Sequence, residues 1–193
     1  PPQSVMKIAI VGKRNTGKST FLNAIVGFER VIVSEVPGTT RDAVDVQFEK
    51  DGKTFTIIDT PGIRKKGKLA DSIEFYGYVR ATRAIRRADV VLLLIDATEP
   101  VSQVDKKLGS LIVQEYKSCI IVVNKWDLAT ASAVTGDYQG YLTQALPGLS
   151  FAPIAFTTAT EAKNVQSVLD LATEIFKQAT TRIPTAKLNQ AFE

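Results

Sequence analysis

Two spacings of apolar residues alternate along this chain, and the changes between them predict a regular succession of strands and helices. Ile8, Ile10 and Val11 form a short apolar run suited to a buried strand, closed by Gly12. Phe21, Leu22, Ile25 and Val26 then recur at helical spacing, with Gly27 placed as a C-cap. Val44, Val46 and Phe48 alternate as a half-buried strand, Asp51-Gly52 is a hairpin turn, and residues 55–58 supply the partner strand. A helix is predicted over about 72–88, then a wholly apolar strand over 90–95. Residues 102–116 read as a helix, 120–123 as the next buried strand, 134–146 as a helix and 153–156 as a short strand. Val165, Val168, Leu169, Leu171, Ala172, Ile175 and Phe176 line one face of a last helix. Strands alternating with helices, and inner strands apolar throughout, predict a three-layer α/β fold. Its sheet is expected to have six strands, mostly parallel, with one antiparallel edge strand and helices on both faces.

Composition narrows the classes without choosing among them. A length of 193 residues suits one domain with a full-sized core. At 45% hydrophobic and 23% charged the chain reads as an ordinary globular one, and its longest apolar run is only strand-sized, so no membrane span is expected. The N-terminus lacks a basic region followed by an apolar one, so no signal peptide is expected. A single cysteine, Cys119, excludes an intramolecular disulfide and suits cytoplasmic residence. The net charge of +4 is too mild to define a nucleic-acid partner. Histidine is absent, so any chemistry runs without an imidazole base, which suits phosphoryl transfer.

The candidate chemistry lies at predicted strand ends, where open α/β sheets bind ligands. Gly12 to Ser19 fit G-x-x-x-x-G-K-[ST], a loop whose backbone N–H groups form an anion nest at a helix N-terminus. Gly12, Asn15, Thr16, Gly17, Lys18, Ser19 and Thr20 are therefore expected at the nucleotide, with Lys18 reaching the terminal phosphates and the Ser19 hydroxyl holding Mg²⁺. Asp59 closes its strand three residues before Gly62; the carboxylate suits Mg²⁺ held through water, and the Gly62 N–H suits the terminal phosphate. Asn124-Lys125-Trp126-Asp127 supplies the choice of base. The Asp127 carboxylate can accept from guanine N1–H and its exocyclic amine, a donor pair adenine lacks. Asn124 can brace the loop, the stem of Lys125 can cover the purine face, and Trp126 is expected to pack. Thr39 and Thr40 can each offer a hydroxyl to Mg²⁺, and the sequence alone does not choose between them. Arg64, Lys65, Lys66, Lys68, Arg80, Arg83, Arg86 and Arg87 crowd one region, with Arg80, Arg83 and Arg87 on a shared helical face. Two readings stand side by side: contact with RNA phosphates or an acidic partner, and a solvated face laced by salt bridges.

Taken together these motifs resemble a translation-factor-type GTPase. Ser34-Glu35-Val36-Pro37-Gly38-Thr39-Thr40-Arg41-Asp42-Ala43-Val44-Asp45, Asp59-Thr60-Pro61-Gly62-Ile63-Arg64-Lys65-Lys66-Gly67-Lys68 and Asn124-Lys125-Trp126-Asp127 look like the second GTPase domain of the Der (EngA) family. So does the tail Arg182-Ile183-Pro184-Thr185-Ala186-Lys187-Leu188-Asn189. The resemblance, within the TrmE-Era-EngA-like group, implies a Ras-like G domain over 1–181 and the start of a linker to a C-terminal KH-like domain over 182–193. It implies GTP and GDP as ligands, Mg²⁺ held by Ser19, Thr40 and Asp59, and slow GTP hydrolysis involving Lys18, Asn15, Thr40 and Gly62. Ile63 stands where Ras-type enzymes carry a water-orienting glutamine, and an isoleucine cannot orient water by hydrogen bonding. The resemblance instead implies K⁺ beside the phosphates, held by Asn15. The fifth motif departs from the family's Ser-Ala pattern: Thr158-Ala159-Thr160 keeps a hydroxyl, and the Ala159 N–H can reach guanine O6. The implied partners are the large ribosomal subunit or its precursor, through ribosomal RNA, and a further GTPase domain and KH-like domain in the same longer chain. A tRNA-modifying relative and a nucleotide-gated binding module with negligible turnover remain the alternatives.

Overall fold

In the computed structural model the described residues are 6–28, 30–32, 43–61, 73–129 and 135–185. Among the described residues, seven strands and five helices follow one another as the apolar pattern predicts, with one addition. The strands are β1 (Met6–Val11), β2 (Arg30–Ile32), β3 (Ala43–Lys50), β4 (Lys53–Pro61), β5 (Val90–Asp96), β6 (Ser118–Asn124) and β7 (Ile154–Phe156). The helices are α1 (Lys18–Phe28), α2 (Ile73–Arg87), α3 (Gln103–Gln114), α4 (Thr135–Ala145) and α5 (Val165–Thr180).

The sheet order is β2-β3-β4-β1-β5-β6-β7. β1 pairs in parallel with both β4 and β5, and β5, β6 and β7 continue the parallel set. Only β3 runs against the others, joined to β4 through Asp51 and Gly52, both at positive φ (51° and 71°), the geometry of a two-residue primed turn. The six expected strands are present, and the three-residue β2 lies outside β3, so the antiparallel strand is next to the edge and not at it. Three residues are too few to show an alternation, which is why β2 leaves no trace in the pattern. Gly27 does not cap α1: the helix runs through it to Phe28, and Gly27 does not take the left-handed φ that a C-cap glycine supplies.

β5 shows how an all-apolar strand follows from its place in the sheet. Val91, Leu93 and Ile95 enter the cluster formed with Ala84 and Ile85 of α2 and Leu108 and Ile112 of α3. Val90, Leu92 and Leu94 face the other way, onto Phe21 and Ile25 of α1 and Val168 and Leu169 of α5. Both faces are dry, so the strand has no polar side to show. The carboxyl ends of β1, β4, β5 and β6 then lie along one edge of the sheet: the phosphate loop follows β1, Asp59 lies in the last residues of β4, and Asn124 ends β6.

Candidate nucleotide site

Asn124, the last residue of β6, joins the two halves of the site. Its side chain is 2% exposed; Nδ2 donates to the Thr16 carbonyl at 2.9 Å, while Oδ1 accepts from the Thr157 hydroxyl and the Ala159 N–H, each at 3.1 Å. One amide therefore ties the Gly12–Ser19 loop to the segment after β7. The close approach dictates glycine at position 17, which sits at φ 91°, because a Cβ there would collide with the Asn124 amide. The expected brace is in place. The Ala159 N–H, expected at the guanine O6, is directed at Asn124 instead.

Within the loop, Thr16 is fully buried and its hydroxyl donates to the Lys13 carbonyl at 3.1 Å. Asn15 is exposed at φ 65°, and Ser19 is exposed in the first turn of α1, with Thr20 beside it. The Lys18 ammonium donates to the carbonyls of Gly12 at 2.9 Å and Lys13 at 2.5 Å, and burial pushes its pKa down to about 8. A partly buried ammonium held, among the described residues, by neutral carbonyls gains from an oxyanion placed beside it.

Asp59 lies at a register shift where β4 carries one residue more than β3, and it takes φ 55°. Its side chain is 5% exposed; burial raises its carboxyl pKa above the ordinary value, opposed by Arg80, whose Nε lies 3.4 Å from Oδ1. A cavity of about 40 Å³ is lined by Lys18, Ser19, Asp59 and Thr60. A hydroxyl and an under-compensated carboxylate on one small cavity are the hard oxygen donors that Mg²⁺ takes, so these residues fit the ion.

Lys125 turns the chain at φ 60°, and its ammonium donates to Asp96 Oδ2 at 2.6 Å. Burial of Asp96 opposes its charge, yet Lys125 and both donors of Thr98 hold its carboxyl below the ordinary value. Trp126 packs on Phe156 and Tyr138 with ring centroids 4.4 and 5.5 Å away, and Asp127 stays exposed on the short turn Trp126–Leu128. Thr158 is buried and exchanges backbone hydrogen bonds with Lys163. Thr39, Thr40, Gly62, Ile63, Arg64, Lys65, Lys66 and Lys68 lie outside the described residues.

Several side chains that shape the site carry no motif. Asp96 anchors Lys125, Glu99 pairs with Lys13, and Asp45 Oδ1 accepts the Asp59 N–H at 2.9 Å. Asp96 alone had a usable signal, since it ends a parallel strand on the ligand-binding edge. On α2, Arg80, Arg86 and Arg87 pair with Asp59, Glu115 and Asp45, which favours the salt-bridged reading of that face, while Arg83 is exposed. A larger cavity of about 650 Å³ lies around the start of β6, between Val113, Tyr116, Phe151 and Ile175, away from every motif.

A parallel sheet with a phosphate loop at its centre and an Asn-Lys-x-Asp turn two strands away defines a P-loop GTPase domain. The chain belongs to the family described as 50S ribosome-binding GTPase, whose pattern matches residues 7–125. GTPase Der of Rhodopirellula baltica is 51% identical over 189 residues, covering 98% of this chain and 42% of the relative. GTPase Der of Heliobacterium modesticaldum is 42% identical over 96% of this chain and 42% of the relative. The resemblance to Der is thus borne out, and the chain spans less than half the length of these curated relatives. Among solved structures, Era in complex with MgGDPNP and nucleotides 1506–1542 of 16S ribosomal RNA is similar at 28% identity and a TM-score of 0.66, over 95% of this chain and 60% of that one. The elongation factor SelB of Methanococcus maripaludis, at 17% identity, TM-score 0.68 and coverage of 95% of this chain and 36% of that one, shares the fold.

Proposed function

We propose that this domain binds GTP with Mg²⁺ and hydrolyses it slowly to GDP and phosphate, and that the longer protein uses the cycle in assembly of the large ribosomal subunit. The observation that carries the reading is the Asn124 clamp, which joins the phosphate loop to the base-reading segments as one unit. Lys18 and the loop N–H groups hold the phosphates, Asp127 accepts from the guanine edge, and Lys125, held by Asp96, lays its stem over the base. Ser19 and Asp59, joined by Thr40, hold Mg²⁺, whose role when bound is to neutralise charge on the β- and γ-phosphates. Gly62 offers its N–H to the γ-phosphate. Asn15, exposed on the loop, is the side chain proposed to hold K⁺, a charge-balancing ion where Ile63 cannot orient water. The segments 28–43 and 60–72 are proposed to respond to the γ-phosphate.

The family description and the Era complex support a ribosomal partner, and the greater length of the relatives leaves room for another GTPase domain and, after the linker over 182–193, a KH-like domain. No helix among the described residues is long and apolar enough to cross a membrane. We propose the cytoplasm as the place of action. The test is turnover of GTP against ATP in K⁺ and in Na⁺. GTP-selective hydrolysis, faster in K⁺ and levelled between the salts by Asn15→Ala, is expected. Guanine binding without turnover in a single-turnover assay would leave a nucleotide-gated binding module, and equal rates in the two salts would remove the K⁺ assignment.

A further inference from the structure

Asp59 occupies an irregular place in the sheet, and a second carboxylate makes that place possible. β3 and β4 pair Val44 with Thr60 and Val46 with Ile57, so Asp45 stands opposite both Ile58 and Asp59. This is a β-bulge, and Asp59 is its residue at positive φ, 55°. Ile58 keeps its place beside Ala9 of β1, while Asp59 lies beyond that pairing. An N–H turned out of the ladder's spacing inside a sheet needs another acceptor. Here the acceptor is a side chain: Asp45 Oδ1 takes the Asp59 N–H at 2.9 Å.

A carboxylate in that role brings a charge into a nearly closed space, since the Asp45 side chain is only 6% exposed. Arg87 answers the charge. Its Nη2 donates to Asp45 Oδ2 at 2.5 Å, and its Nη1 lies 3.4 Å from Oδ1. The turn of α2 that carries Arg87 is fixed in the core, with Ala84, Ile85 and Ala88 all buried. The two oxygens of Asp45 are thus divided between the guanidinium and the bulge.

Strand side chains alternate between faces, so the direction of Asp59 depends on where the bulge is held. With the bulge in place, Asp59 lines the small cavity together with Lys18 and Ser19. Arg80 touches the Asp59 carboxylate at 3.4 Å, but Asp45 sets the backbone that carries it. We propose that Asp45 is a positioning residue for the Mg²⁺ site: by accepting the Asp59 N–H it pins the bulge and aims the Asp59 carboxylate at the ion. Arg87 neutralises Asp45 and has no other part in the metal site. Without an acceptor at position 45 the bulge relaxes or slips, and the carboxylate leaves the cavity. The inference rests on the nucleotide and Mg²⁺ reading above.

Stability and metal binding should then separate across three variants, measured in the whole chain by urea unfolding and by Mg²⁺ titration of bound mant-GDP. D45A, D45N and R87Q each break the buried ion pair, so each unfolds at lower urea. D45N and R87Q keep an oxygen for the Asp59 N–H, and their half-saturating Mg²⁺ stays within about twofold of the unsubstituted chain. D45A keeps none, so its half-saturating Mg²⁺ rises about ten- to 100-fold, while mant-GDP affinity in EDTA is unchanged. D45A/R87M, which removes both partners of the buried pair together, carries the comparison if D45A does not fold. An unchanged half-saturation in D45A or D45A/R87M, or an equal rise in D45N and R87Q, overturns the positioning role alone. Failure of the unsubstituted chain to bind mant-GDP, or indifference of the bound nucleotide to Mg²⁺, overturns the nucleotide and Mg²⁺ reading and this inference with it.

Discussion

At the residue scale, Asn124 and Asp127 sit three positions apart and answer to different physics. Asn124 is a buried clamp, so Asn124→Ala strands the Thr16 carbonyl and the Thr157 and Ala159 donors. An expected loss of about 3 kcal/mol follows from leaving such groups unpaired, read by urea unfolding without nucleotide, together with weaker binding of every guanine nucleotide. Asp127 is exposed, so Asp127→Asn should leave unfolding unchanged. Its amide can donate to the O2 carbonyl of xanthine but cannot accept the guanine donor pair, so guanine affinity should fall about 100-fold or more while xanthine nucleotides gain. Competition binding with GDP and XDP reads the exchange. Asp96 brings pH into the same site. Its carboxyl lies below the ordinary range when folded, so its contribution is present at neutral pH and disappears as pH falls through the folded value. The melting-temperature gap between the unsubstituted chain and Asp96→Asn should accordingly be widest near neutrality and close in acid.

At the element scale, what the sequence revealed depended on whether a feature repeats. β5 and α5 were legible because burial imposes a period over many residues, and the Asn-Lys-Trp-Asp turn because its chemistry needs four fixed positions. β2 was not, since three residues hold no period, and Gly27 misled because glycine marks helix ends only where the left-handed conformation is used. Asp45 escaped for a further reason. A carboxylate in an alternating strand looks like any solvent-facing acid until the fold supplies Arg87 opposite it. The start of α3 gives a measurable case of local encoding. Ser102 Oγ accepts from the Asp105 N–H at 3.3 Å, and Asp105 Oδ2 accepts from the Ser102 N–H at 2.8 Å, a reciprocal cap. Ser102→Ala should lower stability by about 1 kcal/mol, measured by urea unfolding, without altering nucleotide affinity.

At the scale of the whole molecule, the motifs line one edge of the sheet while Cys119 lies near the opposite end of β6, so the thiol can report how far ligand binding is felt. Cys119 is 1% exposed, and burial pushes its pKa up to about 12. At pH 8 only about one thiol in ten thousand is then a thiolate, the form that attacks an alkylating or disulfide reagent. The thiol belongs to the wall of the 650 Å³ cavity, yet proximity to that space does not make it reactive while the strand stays folded and the charged form is suppressed. Labelling should therefore proceed through opening of the parallel sheet, in which Cys119 is paired with Val91 of the central β5. A ligand that binds only the folded chain lowers the open population by the factor 1 + [L]/Kd, so GDP with Mg²⁺ at 100 times its Kd should slow labelling about 100-fold when opening is global. Rates that ignore the nucleotide would mean that the end of β6 opens by itself, independent of the clamped edge. Labelling with a bulky disulfide reagent, with and without saturating GDP, distinguishes one cooperative sheet from two.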